Sequence, residues 1–317
     1  MSCEVPSDCR DLVELQRGVI SRRQALHAGM SSDDIGRLLR SGRWQCLQRG
    51  AYAVFTGEAP REAALWAMVH RAGPGAALSH QTAAELYGLT DGPSSLIHVT
   101  IPAVRRVGTI PGAVIHRSGR LELARHPALL PPRTRIEETV LDLVEQAETF
   151  ERALDWVCRA CQQRITTAGR VSRSLGMRKK ARWRPELSEA LDDIGEGIHS
   201  LLEYRYIHHV ERPHGLPHGT RQARIVRAAR SYYLDNLYAD YHVCAELDGR
   251  IAHPDEQRWQ DGRRDNAAAA EGLVTLRFNW ADVTRQPCQT ASQLAAALRQ
   301  GGWSGVPRRC GRSCPIP

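Results

Sequence analysis

The first sixty residues carry short amphipathic stretches that begin at capping residues and end at glycines. The stretch "SRRQALHAGM" begins at Ser21, a residue type that caps helices. The next stretch, "SSDDIGRLLRSG", opens with serines and acids and places Ile35, Leu38 and Leu39 on one apolar face. "WQCLQRGAYAVF" then alternates around a central Arg-Gly pair, which is typical of two short strands. With "DLVELQRG" as a further helical turn or two before them, three short helices and a hairpin predict a winged helix-turn-helix over residues 10–57.

Three arginines, Arg37, Arg40 and Arg43, lie on the third of these predicted helices or just after it. In a helix-turn-helix this helix contacts the bases and phosphates of DNA, so we expect the three side chains to bind DNA. A small protein-contact module with solvated arginines would show the same pattern. The sequence leaves both interpretations open.

The segment 60–165 mixes helical and strand patterns. "EAALWAMVHRAG" and "SHQTAAELYGL" have helical spacing, whereas "LIHVTIPA" and "GAVIHRS" alternate as strands do. No catalytic constellation stands out in this segment. A basic linker is predicted to follow at 166–186, because the stretch 164–184, "RITTAGRVSRSLGMRKKARWR", carries eight basic residues and no acid. Such a charge run is typical of an exposed linker or of a surface that faces phosphates.

The pattern changes again at about residue 187. Up to residue 300 the order is a helix, two or three antiparallel strands, a helix, a strand and a helix. Together with the N-terminal elements, this order predicts an α/β (α+β) fold. The final stretch 303–317, "WSGVPRRCGRSCPIP", is predicted to be disordered.

Acidic residues interrupt an otherwise apolar strand pattern in "YHVCAELDG". Because residues two apart in a strand face the same way, Cys244, Glu246 and Asp248 share one face. Asp235 on the preceding strand falls beside them, and Glu203 on the preceding helix can pack over the same edge. Clustered carboxylates repel one another unless a proton or a cation intervenes. Hard oxygen ligands of this kind predict a Mg²⁺ or Mn²⁺ site.

The charge balance favours an anionic partner. The chain of 317 residues has 43 basic and 35 acidic residues, a formal net charge of +8, and only two lysines, Lys179 and Lys180. A basic protein of this kind suits nucleic acid and, less well, a membrane surface. No apolar run reaches the roughly 18 residues that span a bilayer, and the N-terminus has no apolar signal core. We therefore expect a cytoplasmic protein that binds DNA and no membrane.

Nine cysteines are scattered along the chain, so a disulfide framework is not expected. Cys158 and Cys161 form a CxxC pair, and Cys310 and Cys314 form a CxxxC pair. The two pairs together would supply four zinc ligands. The first pair lies inside the helical pattern "FERALDWVCRACQQR", where a buried structural thiol is the simpler interpretation. The sequence therefore predicts no structural zinc.

Residues 190–300 resemble a restriction-endonuclease-like domain of the PD-(D/E)XK class, close to the very-short-patch-repair (Vsr) nucleases and long catalogued as a domain of unknown function. The stretches "LDNLYADYHVCAELDGRIAH" and "DGRRDNAAAAEGLVTLRFNW" carry the resemblance, with an S-x-x-E motif that ends at Glu203 and a "GLP" segment. The resemblance implies catalytic and metal-binding roles for four acids, Glu203, Asp235, Glu246 and Asp248. His253, just after the acidic pair, is a candidate base, ligand or phosphate donor.

This chain departs from the family pattern at Asp248. Nucleases of this class have a lysine two residues after the second acid, and here Asp248 takes that place, while Lys179 and Lys180 lie far upstream. The lysine role could pass to Arg264 on the following predicted helix, or the metal alone could serve. Alternatively, the site is inactive.

The N-terminal region resembles winged-helix antitoxin regulators of the AbiEi type. "RRQALHAGMSSDDIGRLLRSGRWQCLQRGAYAV" carries this resemblance, and "LSHQTAAELYGL", "IHVTIPA" and "PPRTRIEETVLDL" extend it to about residue 160. Such regulators repress transcription of their own operons. The resemblance implies a DNA-binding head, with operon DNA and a cognate toxin as possible partners.

Two functions of different classes follow from these patterns. The first is a DNA endonuclease that hydrolyses phosphodiester bonds with Mg²⁺ or Mn²⁺ and is delivered to DNA by the winged helix; cleavage of RNA is a weaker variant. The second is an AbiEi-like transcriptional regulator whose C-terminal domain is a degenerate nuclease fold. A pure binder gains nothing from acids that face a phosphate backbone, so the carboxylate cluster favours the enzyme.

Overall fold

The computed structural model describes residues 5–195, 197–198, 200–227, 230–248 and 272–317. Its contacts divide the chain into two compact units. The first comprises Met1–Glu148 and Arg173–Arg182, and the second comprises Thr149–Ser172 and Trp183–Pro317. No helix among the described residues is both long enough and apolar enough to cross a bilayer.

The first unit begins with the predicted winged helix-turn-helix. Its elements are α1 (Arg10–Leu15), β1 (Val19–Ser21), α2 (Arg22–His27), α3 (Ser32–Arg40), β2 (Gln45–Gln48) and β3 (Ala51–Ala53). The three strands form an antiparallel sheet in the order β1-β3-β2. Helix α1, a strand, two helices and a hairpin are the winged-helix order, so the prediction for this region is confirmed.

Capping and core residues explain why these short helices form. Ser21 and Ser31 each accept a hydrogen bond from the third residue of the helix that follows, and each belongs to a capping box. Ile35 and Leu38 lie on the buried face of α3. They pack in one core with Trp44 of the segment that leads into β2, so α3 is held against the sheet by its apolar side.

The rest of the first unit is mixed, as the pattern of segment 60–165 predicts. Its elements are α4 (Arg61–Ala72), β4 (Ala77–Leu78), α5 (His80–Leu86), β5 (Ile97–Pro102), β6 (Ala113–Ser118), α6 (Leu121–Ala124) and α7 (Ile136–Gln146). The strands form a second sheet in the order β4-β5-β6, with β5 and β6 parallel. Its core joins α4 to the apolar side chains of β5.

The prediction of an exposed basic linker at 166–186 holds only in part, because most of its basic residues are exposed but the segment contains a helix. After α8 (Phe150–Gln162), residues Ala168–Gly176 form helix α9, in which Val171 and Leu175 are buried. These two apolar residues lie one helical turn apart and give α9 a core-facing stripe. The charge run concealed this stripe because Arg170 and Arg173 stand next to and between the two apolar positions.

Arg178, a member of the same run, is buried and paired. Its Nη2 lies 2.7 Å from a carboxylate oxygen of Glu138 and 2.7 Å from one of Asp142, both on α7. The Arg178 side chain is 11% exposed and that of Glu138 is 4% exposed. This arginine therefore stabilises the fold of the first unit. Its guanidinium binds these two carboxylates and is not presented to the phosphates of a nucleic acid.

The second unit contains a four-stranded sheet and several helices. Its further elements are α10 (Arg184–Gly195), α11 (Leu201–Arg205), a π-helix (Tyr206–Glu211), β7 (Thr220–Arg227), β8 (Arg230–Tyr238), β9 (Val243–Asp248), β10 (Val274–Asn279), α12 (Trp280–Arg285) and α13 (Pro287–Gln300). The strand order is β7-β8-β9-β10, with β7, β8 and β9 antiparallel in turn and β10 parallel to β9. The described elements follow the α+β order predicted for 187–300, whereas the helix predicted between β9 and β10 lies outside the described residues. The restriction-endonuclease-like fold stays a prediction.

A buried polar network anchors strand β8 in the second unit. The Tyr238 hydroxyl donates to Oε2 of Glu211 at 2.8 Å, and the hydroxyls of Tyr206 and Tyr238 are 2.8 Å apart. The Gly219 amide also donates to Glu211, at 3.2 Å. Because a buried carboxylate is costly without partners, this network fixes β8 to the π-helix.

The prediction that 303–317 is disordered was wrong. Cys314 and Ile316 are buried, and the amide of Arg308 donates to the carbonyl of His214 at 2.8 Å. The segment has little regular structure of its own. Its order comes from these side-chain and backbone contacts with the second unit, which its polar composition does not indicate.

Candidate nucleic-acid interface and carboxylate site

Helix α3 presents a polar face opposite its buried residues. Arg37 and Arg40 are exposed on it, and Arg43 is exposed just after it. The Arg37 guanidinium lies 2.8 Å from Oδ1 of Asp34, but its side chain is still 72% exposed. Solvent screens an exposed pair of this kind, so it leaves Arg37 able to bind a phosphate.

The wing and the neighbouring helix add basic residues to this part of the first unit. Arg49 is exposed at the tip of the β2–β3 hairpin, next to Gly50, whose φ of +80° suits glycine in the turn. Arg22 and Arg23 are exposed on α2. A winged helix can use both its third helix and its hairpin against a duplex, and here both carry arginine.

The carboxylates of the second unit lie in a row across the sheet. Asn236 of β8 pairs with Ala245 of β9, so the next positions, Asp235 and Glu246, face each other. In the parallel pair of β9 and β10, Arg277 lies opposite Glu246. The structure therefore brings Asp235 and Glu246 together, as the sequence predicts, and adds a guanidinium beside them.

Asp235 is fixed by hydrogen bonds from two neighbouring strands. Its Oδ2 accepts from the amide of Leu247 at 2.8 Å, and its Oδ1 accepts from Nε2 of Gln222 at 3.3 Å. Burial raises the pKa of Asp235, while these two hydrogen bonds oppose the rise and the charge of Asp248 adds to it. The two hydrogen bonds hold the carboxylate in place and favour its ionised form, whereas burial disfavours that form more strongly.

Glu246 has a strongly perturbed carboxyl group. Burial, followed by the charge of Asp235, raises its pKa from 4.5 to about 7, with a smaller opposing effect of the Cys244 thiol at 3.4 Å. Acids with raised pKa values at the surface of a sheet are typical of functional sites, because a cation can replace the proton. The raised pKa of Glu246 therefore marks this face of the sheet as a candidate site.

Asp248 lies at the end of β9, two residues beyond Glu246. Its Oδ2 is 3.8 Å from Nη1 of Arg277, and its side chain is 43% exposed. Arg277 therefore lies near Asp248 as well as opposite Glu246, and its charge opposes the rise in the pKa values of Asp235 and Glu246. Asp248 thus pairs with the guanidinium of Arg277. Its metal-binding role stays a prediction.

Glu203 occupies the first turn of α11 and is buried. Its amide and its carboxylate both bond the Ser200 hydroxyl, at 3.1 Å each. Its charge is the last of the influences that raise the pKa of the Cys158 thiol on α8, of which burial is the largest. These contacts give Glu203 a helix-capping role, and its part in metal binding stays a prediction.

Two predicted site residues, His253 and Arg264, lie outside the described residues. Arg277 is a residue that the sequence reasoning missed as a candidate for the lysine role. The sequence held a signal for it, because Arg277 is the arginine of the "RF" strand that carries part of the nuclease resemblance. Its register opposite Glu246 depends on strand pairing, which the motif does not show.

A histidine cluster in the first unit was also missed. The rings of His80 and His116 stack with centroids 3.7 Å apart, and Nδ1 of His98 lies 3.0 Å from Nε2 of His116. Nδ1 of His80 is 2.9 Å from the Ser79 hydroxyl. Burial lowers the pKa of His80 to about 2 and that of His116 to about 4. The rings are therefore neutral, and they are held by stacking and hydrogen bonds. We interpret the cluster as part of the packing of the first unit.

The comparison with known families supports the N-terminal prediction. No curated protein matches the chain. Residues 9–54 match the family described as "Transcriptional regulator, AbiEi antitoxin", which covers the winged helix-turn-helix with helix α3 and the wing. The N-terminal part of this chain is therefore similar to DNA-binding regulators of the AbiEi antitoxin type.

Proposed function

We propose that the first unit binds duplex DNA through helix α3 and the β2–β3 wing, as a transcriptional regulator of the AbiEi antitoxin type. The observation that carries this proposal is a winged helix-turn-helix whose third helix keeps Arg37 and Arg40 exposed, within the 9–54 region that matches the regulator family. Operon DNA is the expected ligand. A cognate toxin is the protein partner that the family description implies.

The charge of the chain supports this assignment. A formal net charge of +8 attracts a polyanion over a distance, and arginine forms bidentate bonds with phosphate oxygens and guanine. The exposed basic residues of the winged helix that could meet a duplex are Arg22, Arg23, Arg37, Arg40, Arg43 and Arg49. Binding should release counterions and depend steeply on salt.

Replacing Arg37 and Arg40 with glutamine should weaken binding to duplexes of every sequence. Each lost phosphate contact lowers the slope of log K against log salt by about 0.9, so the double variant should lose nearly two units of slope. Fluorescence anisotropy of a labelled duplex between about 50 and 200 mM salt measures both quantities. A double Arg117→Gln/Arg285→Gln variant removes equal charge from exposed positions on β6 and α12 and should bind normally. An equal loss of DNA affinity in the two double variants would show that only the total charge matters and that helix α3 has no specific role.

We further propose that the second unit hydrolyses DNA phosphodiester bonds with a divalent metal ion. The observation that favours this second function is the row of Asp235, Glu246 and Arg277 across one sheet face, with two carboxyl groups of raised pKa. The two adjacent carboxylates repel each other, and burial strengthens this repulsion. Mg²⁺ or Mn²⁺ prefers hard oxygen ligands of this kind and would neutralise the repulsion.

The roles of the side chains follow from their contacts. Asp235 and Glu246 would hold the ion, and the Leu247 amide keeps the Asp235 carboxylate oriented toward its neighbour. When bound, the ion supplies an activated water and neutralises charge on the phosphoryl oxygen. Arg277 would take the lysine role by donating to a phosphate oxygen, and Asp248 restrains its guanidinium until the substrate arrives.

Supercoiled plasmid should be nicked by the full chain in Mn²⁺ or Mg²⁺, and the Asp235→Asn variant should be inactive. Asp240→Asn, at an exposed turn residue after β8, should keep the activity.

The Asp248→Lys variant restores the usual lysine of the family, so its activity should survive or rise if Asp248 is not a ligand. Gel mobility of the plasmid gives the result, with a structured RNA as the alternative substrate. An absence of cleavage under every divalent ion would leave the regulator as the function of the whole chain.

A further inference from the structure

Four possible metal ligands from distant parts of the sequence meet in the second unit. His214 follows the π-helix, Cys288 is the second residue of α13, and Cys310 and Cys314 belong to the 303–317 segment. One donor atom from each of the four lies within 4.8 Å of the other three. His214 and Cys314 are 100 residues apart in sequence, so their meeting is a product of the fold.

The distances match those of a tetrahedral zinc site. The Sγ atoms of Cys288 and Cys310 are 3.5 Å apart, and Sγ of Cys314 lies 3.7 Å from Nε2 of His214. Zn–S bonds of about 2.3 Å at tetrahedral angles place two ligand sulfurs about 3.8 Å from each other. Cys310 and Cys314 are also spaced as CxxxC, within the range that one zinc-binding loop supplies.

The orientation of His214 suits a ligand. Its Nδ1 lies 2.8 Å from the carbonyl oxygen of Val210, so this nitrogen carries the proton and donates it. The lone pair of Nε2 is then directed toward the cysteines. Zinc-binding histidines are commonly held in this way by a backbone carbonyl, which fixes the tautomer and the ring. His214 is also fully buried, so its ring cannot turn to solvent.

The surroundings suit the charge of such a site. A zinc ion with three thiolates and one neutral imidazole carries a net charge of −1. Cys288 lies in the first turn of the 14-residue helix α13, where the helix dipole favours negative charge. Arg308, Arg309 and Arg312 flank Cys310 in sequence, and Arg309 donates to the carbonyl of Cys314 at 3.1 Å.

We propose that His214, Cys288, Cys310 and Cys314 bind one structural Zn²⁺ ion that fastens the 303–317 segment to the π-helix and α13. This proposal departs from the prediction of no structural zinc, which considered Cys310 and Cys314 only in combination with Cys158 and Cys161. Cys158 is buried within α8, as the helical pattern predicts. The soft thiolates and the closed set of four ligands favour zinc over the hard cations that carboxylates bind.

The full chain, purified under reducing conditions without chelators, should contain one zinc per chain by mass spectrometry. The Cys310→Ser/Cys314→Ser variant should lose the zinc and melt at a lower temperature. The Cys46→Ser/Cys161→Ser variant removes two other thiols and should keep the full amount. Glu246→Gln should keep it as well, which separates this site from the carboxylate row.

Cobalt substitution tests the ligand set without any variant that might fail to fold. The wild-type chain loaded with Co²⁺ should show the thiolate-to-cobalt absorption and the visible bands of a tetrahedral site. Each of three outcomes would overturn the proposal: a wild-type chain with neither zinc nor a cobalt spectrum, full zinc retention by Cys310→Ser/Cys314→Ser, or a Cys288–Cys310 disulfide in place of the metal.

Discussion

Replacement of Glu246 by glutamine is expected to stabilise the second unit at pH 8 in buffer depleted of Mg²⁺ and Mn²⁺. Burial and Asp235 raise the pKa of Glu246 from 4.5 to about 7. The stability that this carboxyl contributes is complete below pH 4.5 and is lost as the pH rises through 7. Its ionisation at pH 8 therefore costs on the order of 3 kcal/mol, which glutamine avoids.

Thermal melting of the wild type and the variant between pH 5 and pH 8 measures this effect. The difference should be largest at pH 8 and should fall to about a quarter of that value at pH 5. Mn²⁺ should raise the melting temperature of the wild type at pH 8 and leave that of Glu246→Gln unchanged. Glu186→Gln, at an exposed position on α10, serves as the control. Equal melting of wild type and Glu246→Gln at pH 8 would show that the row carries no electrostatic strain.

Replacement of Arg178 by methionine should destabilise the first unit by about 3–5 kcal/mol. The change leaves the buried carboxylates of Glu138 and Asp142 without their shared guanidinium. Burial already raises the pKa of Asp142 to about 6, so its carboxylate is costly to keep ionised. The loss should shrink as the pH falls from 8 to 5, because the freed acid then takes up a proton.

Urea unfolding at both pH values measures this loss as a change in the free energy of unfolding. Arg37→Met removes an arginine from an exposed ion pair of the same unit and should cost little, because solvent screens that pair. A cost for Arg178→Met no larger than that of the control would mean that Arg178 does not compensate the two acids.

The sequence predicts the winged helix well because its signals are local. Ser21 and Ser31 act within one helical turn, and the β2–β3 hairpin turns at Gly50. The apolar residues Ile35 and Leu38 are one turn apart on the same helix. Each of these features is set by neighbours in sequence, so pattern and structure agree.

The carboxylate row is predictable only in part. Strand alternation places Glu246 and Asp248 on one face, and the short connection between β8 and β9 brings Asp235 beside them. The position of Arg277 depends on the register of β10 against β9. Parallel strands are joined by a long crossover, so no local turn fixes that register in the sequence.

Partners far apart in sequence explain the two clearest errors. Arg178 is read as part of a solvated charge run because its partners, Glu138 and Asp142, lie 40 and 36 residues upstream. The 303–317 segment is read as disordered because His214, which it contacts, lies about a hundred residues earlier. Composition describes a segment by itself, whereas burial depends on what the fold places against it.

The uneven charge along α3 fixes how that helix can meet a duplex. Asp33 and Asp34 lie in its first turn, and Arg37 and Arg40 lie in its last. Its N-terminus would repel a phosphate that the helix dipole would otherwise attract. In the major groove the arginine end would therefore meet the backbone, and the acidic end would meet base edges. The Asp34 carboxylate already bonds Ser31 and Arg37, so Asp33 would be the carboxylate that accepts from a base. Under the proposed function, operators with the amino group of cytosine or adenine beneath the first turn would be favoured.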